Sequence, residues 1–239
     1  MDIAGYCGHP ASGIVLYKNV WPDDSNFIQR LEECIHDATF GTDAHPYYSW
    51  KKALVGDLEE MPDYRDCSDF KMRASDIETC PPEFEEASKV YQEVMSGVRE
   101  CVTHYSGLYN IQLEYEEATN FVRYFEGQHF ATHADHGFSY VSTVSAIGYL
   151  NDDYEGGEYL LPYQDIKFLP EAGDVIIHPS TFVYAHASLA VTKGTKYSAV
   201  TMYDYNDRNH QDHQNQYPSG GNVPTGPTAA GGQILSASE

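Results

Sequence analysis

Apolar positions along the chain fall first into helical spacing and later into short strand-like runs. GIVLYKNV, residues 13–20, is apolar and β-branched enough for a strand. PDDSNFIQRLEECI follows, with acidic capping residues ahead of Phe27, Leu31 and Ile35 at helical spacing, so a strand leads into a helix. Residues 39–81 show no sustained period and mix Gly, Pro, Asp and aromatics, which reads as a long irregular segment or a lid carrying Tyr47, Tyr48 and Trp50. The helical pattern returns in PPEFEEASKVYQEVMSGVRECVTHY. Pro81 and Pro82 open that run, and Phe84, Val90, Val94, Val98 and Val102 form an apolar stripe. From about residue 111 strand-like runs take over: NFVRYF, STVSAIGYL, GEYLLPY, DVIIHP, a segment near 187–191, and KYSAVTMYDY, punctuated by NDDYEGG and EAGD. Helices first and strands later predict an α+β, mainly β domain. Residues 206–239 are rich in Gly, Pro, Asn and Gln and too poor in large apolar groups to offset ordering entropy, which predicts a flexible tail after a single domain over 1–205.

Composition narrows the partners. A length of 239 residues suits one sizeable core, and 14 Lys plus Arg against 36 Asp plus Glu give a formal net charge of −22. That charge repels phosphate backbones and anionic head groups, which argues against nucleic acid and membrane surfaces as partners. A salty environment and a basic protein substrate both suit it. The five cysteines form no close pairing pattern, and MDIAGYCGHP lacks the cationic and apolar stretches of a signal peptide. With no apolar run near the ~18 residues a membrane span needs, a reduced, cytoplasmic setting is the expectation. The 20 tyrosines read as strand-face packing.

The candidate chemistry lies in HFATHADHG, residues 129–137, where three histidines and an aspartate crowd nine positions. Were the stretch helical, His129 and His133 would lie one turn apart, but Phe130 stands where a zinc protease helix needs Glu. Gly127, Gly137 and the preceding NFVRYF favour an extended or loop conformation. In an extended chain His133 and Asp135 point to one side and His136 to the other. Two His and one carboxylate on one face suit iron(II), so a third ligand is required from a distant strand. His186 is the candidate, because Lys196 follows ten residues later at the start of KYSAVTMYDY, with Ser198 on its side of the strand. A cation there is the counter-charge that the far carboxylate of a dicarboxylate cosubstrate needs, whereas alone it reads as a solvated strand end. His178 reads as a hydrogen-bonded residue at a strand end, His129 and His136 as residues at the mouth of the site or behind it, and His210 and His213 as members of the polar tail.

Taken in order, Tyr124-x-x-Gly127-Gln128, His133-x-Asp135, YLNDDYEGGE at 149–158, AGDVIIHPS at 172–180, and His186 with Lys196 resemble the motifs of the 2-oxoglutarate and iron(II) dependent dioxygenases. The spacing is most similar to the prolyl 4-hydroxylase catalytic domain, and the resemblance covers residues 121–205. It implies a distorted double-stranded β-helix, a jelly-roll or cupin-like barrel, with supporting N-terminal helices. It also implies Fe(II) held by His133, Asp135 and His186, with 2-oxoglutarate, O2 and ascorbate as the other small molecules. Lys196 would pair with the far carboxylate of 2-oxoglutarate, Tyr124 would donate to it, and Ser198 and Tyr159 would line the same pocket. The implied reaction is hydroxylation of a prolyl residue in a peptide or protein, with release of succinate and CO2. Three departures bear on the substrate: Tyr159 stands where family members often have Thr, Ser142 where prolyl hydroxylases carry Arg, and Tyr197 and Met202 where they carry Trp. A non-prolyl substrate, a noncatalytic jelly-roll binding module and, against the charge of −22, a nucleic-acid demethylase are the other readings.

Overall fold

The computed structural model describes residues 2–9, 12–23, 25–38, 48–55, 59–137, 141–208 and 210. Its spine is the strand Lys196–Asp204, flanked antiparallel by Val144–Tyr149 on one side and Thr119–Tyr124 on the other. The sheet continues beyond Val144–Tyr149 through Val175–Pro179, Val15–Lys18 and Asp2–Tyr6. Beyond Thr119–Tyr124 it continues through Ser68–Met72, Ser49–Lys52 and a short parallel pairing with His36–Asp37. A smaller sheet faces it, in the order Ile166–Phe168, Tyr159–Leu161, His186–Ser188, His129–His133 and Arg65–Asp66. Glu155–Gly156 and Val191–Lys193 form a separate two-stranded ribbon.

Strand alternation divides the large sheet into an outer and an inner face. Phe121, Val144, Ala146, Val175, Ile177, Tyr197, Ala199 and Tyr203 pack outward into one core with the helices. The intervening residues Val122, Tyr124, Ile147, Tyr149 and Ile176 pack inward, in smaller clusters against Tyr159, Leu161 and Val191. By the same alternation Ser145, His178, Lys196 and Ser198 face inward, and each is buried. The inside of the barrel therefore holds a buried polar group made of these four side chains.

The outer core rests on α2, Glu85–Tyr109, whose buried side includes Val90, Val94, Val98 and Val102, the stripe that the sequence predicts. Each such side chain contributes about 1.5–3 kcal/mol when fully buried. The shorter α1, Phe27–Glu32, buries Phe27 and Leu31, with Ile35 buried just beyond its end. Trp21 ties α2 to the sheet: its indole N–H donates to the Val94 carbonyl at 3.2 Å. A Cβ at Gly97 or Gly148 would come within 2.5–2.6 Å of the Trp21 ring, so both positions must be glycine for helix and strand to close on it. The result is a mainly β, distorted double-stranded β-helix backed by helices on one face.

Two expectations need correction. Where it is described, the stretch 39–81 is not an irregular lid. It supplies Ser49–Lys52 and Ser68–Met72 to the large sheet and Arg65–Asp66 to the small one, and Tyr48 and Trp50 are core residues. Residues 39–47, Tyr47 among them, lie outside the described residues. His210 is not a loose tail residue either. It is buried, stacks on Tyr115 with ring centroids 3.9 Å apart, and lies between Glu117 at 2.9 Å and Asp204 at 3.2 Å. The rest of the stretch 211–239, with His213, lies outside the described residues. Among those residues no helix is long and apolar enough to cross a membrane.

Candidate active site

His133 ends one strand of the small sheet and His186 begins the neighbouring one, and the two are register partners across the ladder. Directly opposed residues share a face, so their rings meet, with centroids 4.4 Å apart. Asp135 is not on the strand, as the extended reading of the sequence has it. It sits two residues beyond, in a bend that turns its carboxylate back toward both rings. Asp135 Oδ1 lies 3.4 Å from His133 Nε2 and Oδ2 lies 3.6 Å from His186 Nε2. One ligand-type atom from each of the three residues falls within 4.8 Å of the others, and this is the one such group among the described residues.

The hydrogen bonds behind the cluster set its donor atoms. His133 Nδ1 is 2.9 Å from the Ala131 carbonyl and His186 Nδ1 is 3.1 Å from the Tyr184 carbonyl. A carbonyl only accepts, so Nδ1 carries the hydrogen in each ring and Nε2 keeps a lone pair for the common point. Burial alone would raise the Asp135 carboxyl, but His186, His133 and the Ser145 hydroxyl outweigh it and hold the group well below the usual carboxylate range. Burial pulls His186 down to about 3 against the attraction of Asp135. At neutral pH the cluster thus offers an ionised carboxylate beside an unprotonated imidazole, the states that binding a divalent cation requires. Two imidazoles and one carboxylate on one face are the donor set of non-haem iron(II).

Further into the barrel, Lys196 is almost wholly buried and donates to the Gly157 carbonyl at 2.5 Å and to Ser188 Oγ at 3.0 Å. Its ammonium lies over the rings of Tyr149 and Tyr124, 5.2 and 5.6 Å from their centroids. Burial pulls the Lys196 amine down to about 7, with Glu158 as the opposing attraction. Gly157, at φ +67, makes this close approach possible, since a Cβ there would press on Lys196 Cδ at 3.1 Å. Two of the three ammonium hydrogens are used, and the buried hydroxyl of Tyr149 has no partner among the described residues. The remaining Lys196 N–H, with the ammonium 5.2 Å from the Tyr149 ring centroid, and the Tyr149 O–H are groups that the carboxylate of an acidic cosubstrate would satisfy. The residues therefore fit both an iron(II) ion and 2-oxoglutarate.

Other candidates fall around this pair. Tyr124 is buried beside Lys196, its phenol interacting with the Cys67 thiol. Ser198 is buried two residues along the strand from Lys196. Tyr159 stacks on His186, ring centroids 5.2 Å apart, and its hydroxyl is 2.6 Å from His178 Nε2. Since His178 Nδ1 points to the Pro179 carbonyl at 2.8 Å, Tyr159 is the donor in that bond, and its hydroxyl hydrogen is already committed. His178 is fully buried and hydrogen-bonded through both nitrogens, as its reading at a strand end anticipates. His129, bonded to the Asp63 carbonyl, and His136, bonded to the Ser142 carbonyl, stand outside the cluster. Tyr149 was missed in the sequence reading. The signal was its place in AIGYL, which alternation sets on the inner face with Ser145 and Ile147.

The sequence model of the 2OG-Fe(II) oxygenase superfamily matches residues 119–204. Among solved structures, a Trichoplax adhaerens prolyl hydroxylase in complex with a hypoxia inducible factor oxygen degradation domain peptide fragment is similar at 14% identity, with a TM-score of 0.58 over 81% of this chain and 84% of that one. A Pseudomonas putida prolyl-4-hydroxylase is similar at 17% identity, with a TM-score of 0.55 over 82% of this chain and 94% of that one. An oxidoreductase of the 2OG-Fe(II) oxygenase family from Burkholderia pseudomallei is similar at 15% identity, TM-score 0.53, over 81% and 86% of the two chains. These likenesses concern the fold. No curated protein sequence matches the chain.

Proposed function

We propose, for a chain that belongs to the 2OG-Fe(II) oxygenase superfamily through residues 119–204, that it hydroxylates prolyl residues of a peptide or protein, with His133, Asp135 and His186 holding the iron. The observation that carries the reading is the presence inside one barrel of two groups: the His133–Asp135–His186 cluster, and the buried Lys196 ammonium over the ring of Tyr149, whose hydroxyl has no partner among the described residues. Iron(II), when bound, would activate O2, which supplies the oxidising equivalents; 2-oxoglutarate would give two electrons as it becomes succinate and CO2, so that one oxygen atom enters the succinate and the other the C–H bond.

The chain's own part is binding, orientation and exclusion of water. His133 and His186 present Nε2 because the Ala131 and Tyr184 carbonyls fix their Nδ1 hydrogens. Lys196 and Tyr149 would hold the far carboxylate of 2-oxoglutarate. Tyr124 and Ser198 border the same space, and Tyr159 braces His186 rather than offering a free hydroxyl. The surrounding core of Ile147, Leu161 and Ile176 keeps bulk water from the reacting centre.

The prolyl assignment is supported by the motif spacing of Tyr124, His133, Asp135, His186 and Lys196, and by the fold shared with two prolyl hydroxylases. One observation favours the same chemistry on another side chain. Ser142, standing where prolyl hydroxylases carry Arg, is buried and engaged with Ser180, so it extends no cation to a substrate. The test is a turnover assay with iron(II), 2-oxoglutarate and ascorbate on proline-containing peptides, free proline and other amino acids. It reads succinate and a mass gain of one oxygen. Oxidised prolyl peptide is expected, and succinate formed with every peptide left unoxidised would refute the prolyl substrate while leaving the oxygenase. We propose also that 1–205 acts as one catalytic unit, testable as a protein truncated after His210, whose contacts with Tyr115, Glu117 and Asp204 are then kept, and refuted by loss of turnover in that protein.

A further inference from the structure

Three serines lie fully buried between the Asp135 bend and the large sheet, and none has a part in the reaction described above. Ser145 faces inward from the strand Val144–Tyr149, Ser142 precedes that strand, and Ser180 follows Val175–Pro179. Ser145 Oγ is 2.5 Å from Asp135 Oδ2, Ser180 Oγ is 2.8 Å from Ser145 Oγ, and Ser142 Oγ is 2.8 Å from Ser180 Oγ.

The chain of contacts has one direction. An ionised carboxylate only accepts, so the Ser145 hydrogen goes to Asp135. Ser145 has no second hydrogen and must accept from Ser180, and Ser180 in turn accepts from Ser142. Hydrogen bonds aligned in this way polarise one another, and the last one, to a charged group, is strengthened most. The backbone repeats the pattern: the His136 N–H donates to the Ser180 carbonyl at 2.9 Å, and His136 Nδ1 is 2.7 Å from the Ser142 carbonyl.

Asp135 needs such a support. It stands past the last residue of its strand, where no ladder holds it, and rotation of a carboxylate about χ2 is broad and weakly restrained. Ser145 belongs to a strand paired on both sides, with Val175–Pro179 and Lys196–Asp204, and so supplies a fixed donor. We infer that the serine chain Ser142–Ser180–Ser145 positions the Asp135 carboxylate, and thereby sets the metal affinity of the site. The inference rests on the reading that His133, Asp135 and His186 hold a divalent metal. It gives Ser142 a place as the outer member of a support for the metal site.

The test is Co(II) binding to the full chain without 2-oxoglutarate, followed by calorimetry and by the visible Co(II) spectrum, with circular dichroism to check folding. Ser145→Ala should bind roughly 10- to 100-fold more weakly, the usual range for losing a partner behind a metal ligand. Its Co(II) spectrum should change as well. Ser145→Thr, which keeps the hydroxyl, should recover most of the loss, and Ser180→Ala should show a smaller weakening, with Ser142→Ala smaller again. Ser180→Ala carries the test if Ser145→Ala does not fold. A wild-type affinity and spectrum in Ser145→Ala, or no recovery in Ser145→Thr, would overturn the inference while His133→Ala, by losing the metal, upheld the site. Failure of the wild-type chain to bind Co(II) would overturn both.

Discussion

Lys196→Met should separate the cosubstrate anchor from the metal site. The substitution keeps a long apolar stem in the barrel and removes an ammonium whose remaining hydrogen is unspent. A charge-assisted hydrogen bond to a carboxylate is worth ~1.5–3 kcal/mol, so 2-oxoglutarate affinity should fall roughly 10- to 100-fold. Iron(II) affinity without cosubstrate should not change, since Lys196 takes no part in the His133–Asp135–His186 cluster. pH supplies a second, independent signature. Burial holds the Lys196 amine at about 7, with Glu158 the opposing attraction and Tyr124 and Tyr149 its aromatic neighbours. Below that value the empty site already carries the proton, and above it the proton must be taken up on binding. Affinity in the wild type should therefore weaken as pH rises above about 7, by up to roughly tenfold per pH unit. Lys196→Met should lack that slope. Calorimetric titration of 2-oxoglutarate into the anaerobic metal-loaded protein at several pH values reads both effects. An unchanged dissociation constant in Lys196→Met, or the same pH slope in both proteins, would refute the reasoning.

Tyr149→Phe removes a buried hydroxyl that has no partner among the described residues. Its melting temperature should hold or rise, while 2-oxoglutarate affinity falls roughly five- to tenfold, as expected for ~1 kcal/mol from a neutral hydrogen bond; Tyr124→Phe should have a milder effect in the same titration. His133→Ala, Asp135→Ala and His186→Ala should each abolish stoichiometric iron binding with the fold intact, and His129→Ala and His136→Ala should keep it, as read by metal analysis and circular dichroism. With 36 acidic against 14 basic residues, cationic proline-containing peptides should be turned over faster than neutral ones at low salt. That advantage should shrink as ionic strength rises and the Debye length falls to ~8 Å.

Residues 111–205 were the legible part of the sequence because Thr119–Tyr124, Val144–Tyr149, Val175–Pro179 and Lys196–Asp204 are buried on both faces and read as apolar runs. His133, Asp135, His186 and Lys196 stood out as polar groups in or beside otherwise apolar runs, and the fold brings them to one interior. The Asp135 bend was less legible, since alternation describes strands and Asp135 lies just past one. Between 39 and 81 the strands Ser49–Lys52 and Ser68–Met72 were hidden by the exposed Lys51 and Lys71 and the half-buried Lys52 and Asp69, which break the apolar pattern at the periphery of the sheet. There Trp50, Phe70 and Met72, on the face that packs against the helices, are held by tertiary packing rather than by local period. The serine chain was invisible for another reason: serine is common, and nothing in the spacing of 142, 145 and 180 marks them as neighbours before the two strands pair.

The most direct test of the account is optical. Iron(II) and 2-oxoglutarate, added together without oxygen to the wild-type protein, should produce a weak visible charge-transfer band that neither gives alone, because only a keto acid chelated to the protein-held metal absorbs there. Asp135→Ala should abolish the band, and Lys196→Met should require roughly 10- to 100-fold more 2-oxoglutarate to reach it. No band in the wild type at saturating iron and 2-oxoglutarate, or an undiminished band in Asp135→Ala, would contradict the assignment of His133, Asp135 and His186 as the iron site.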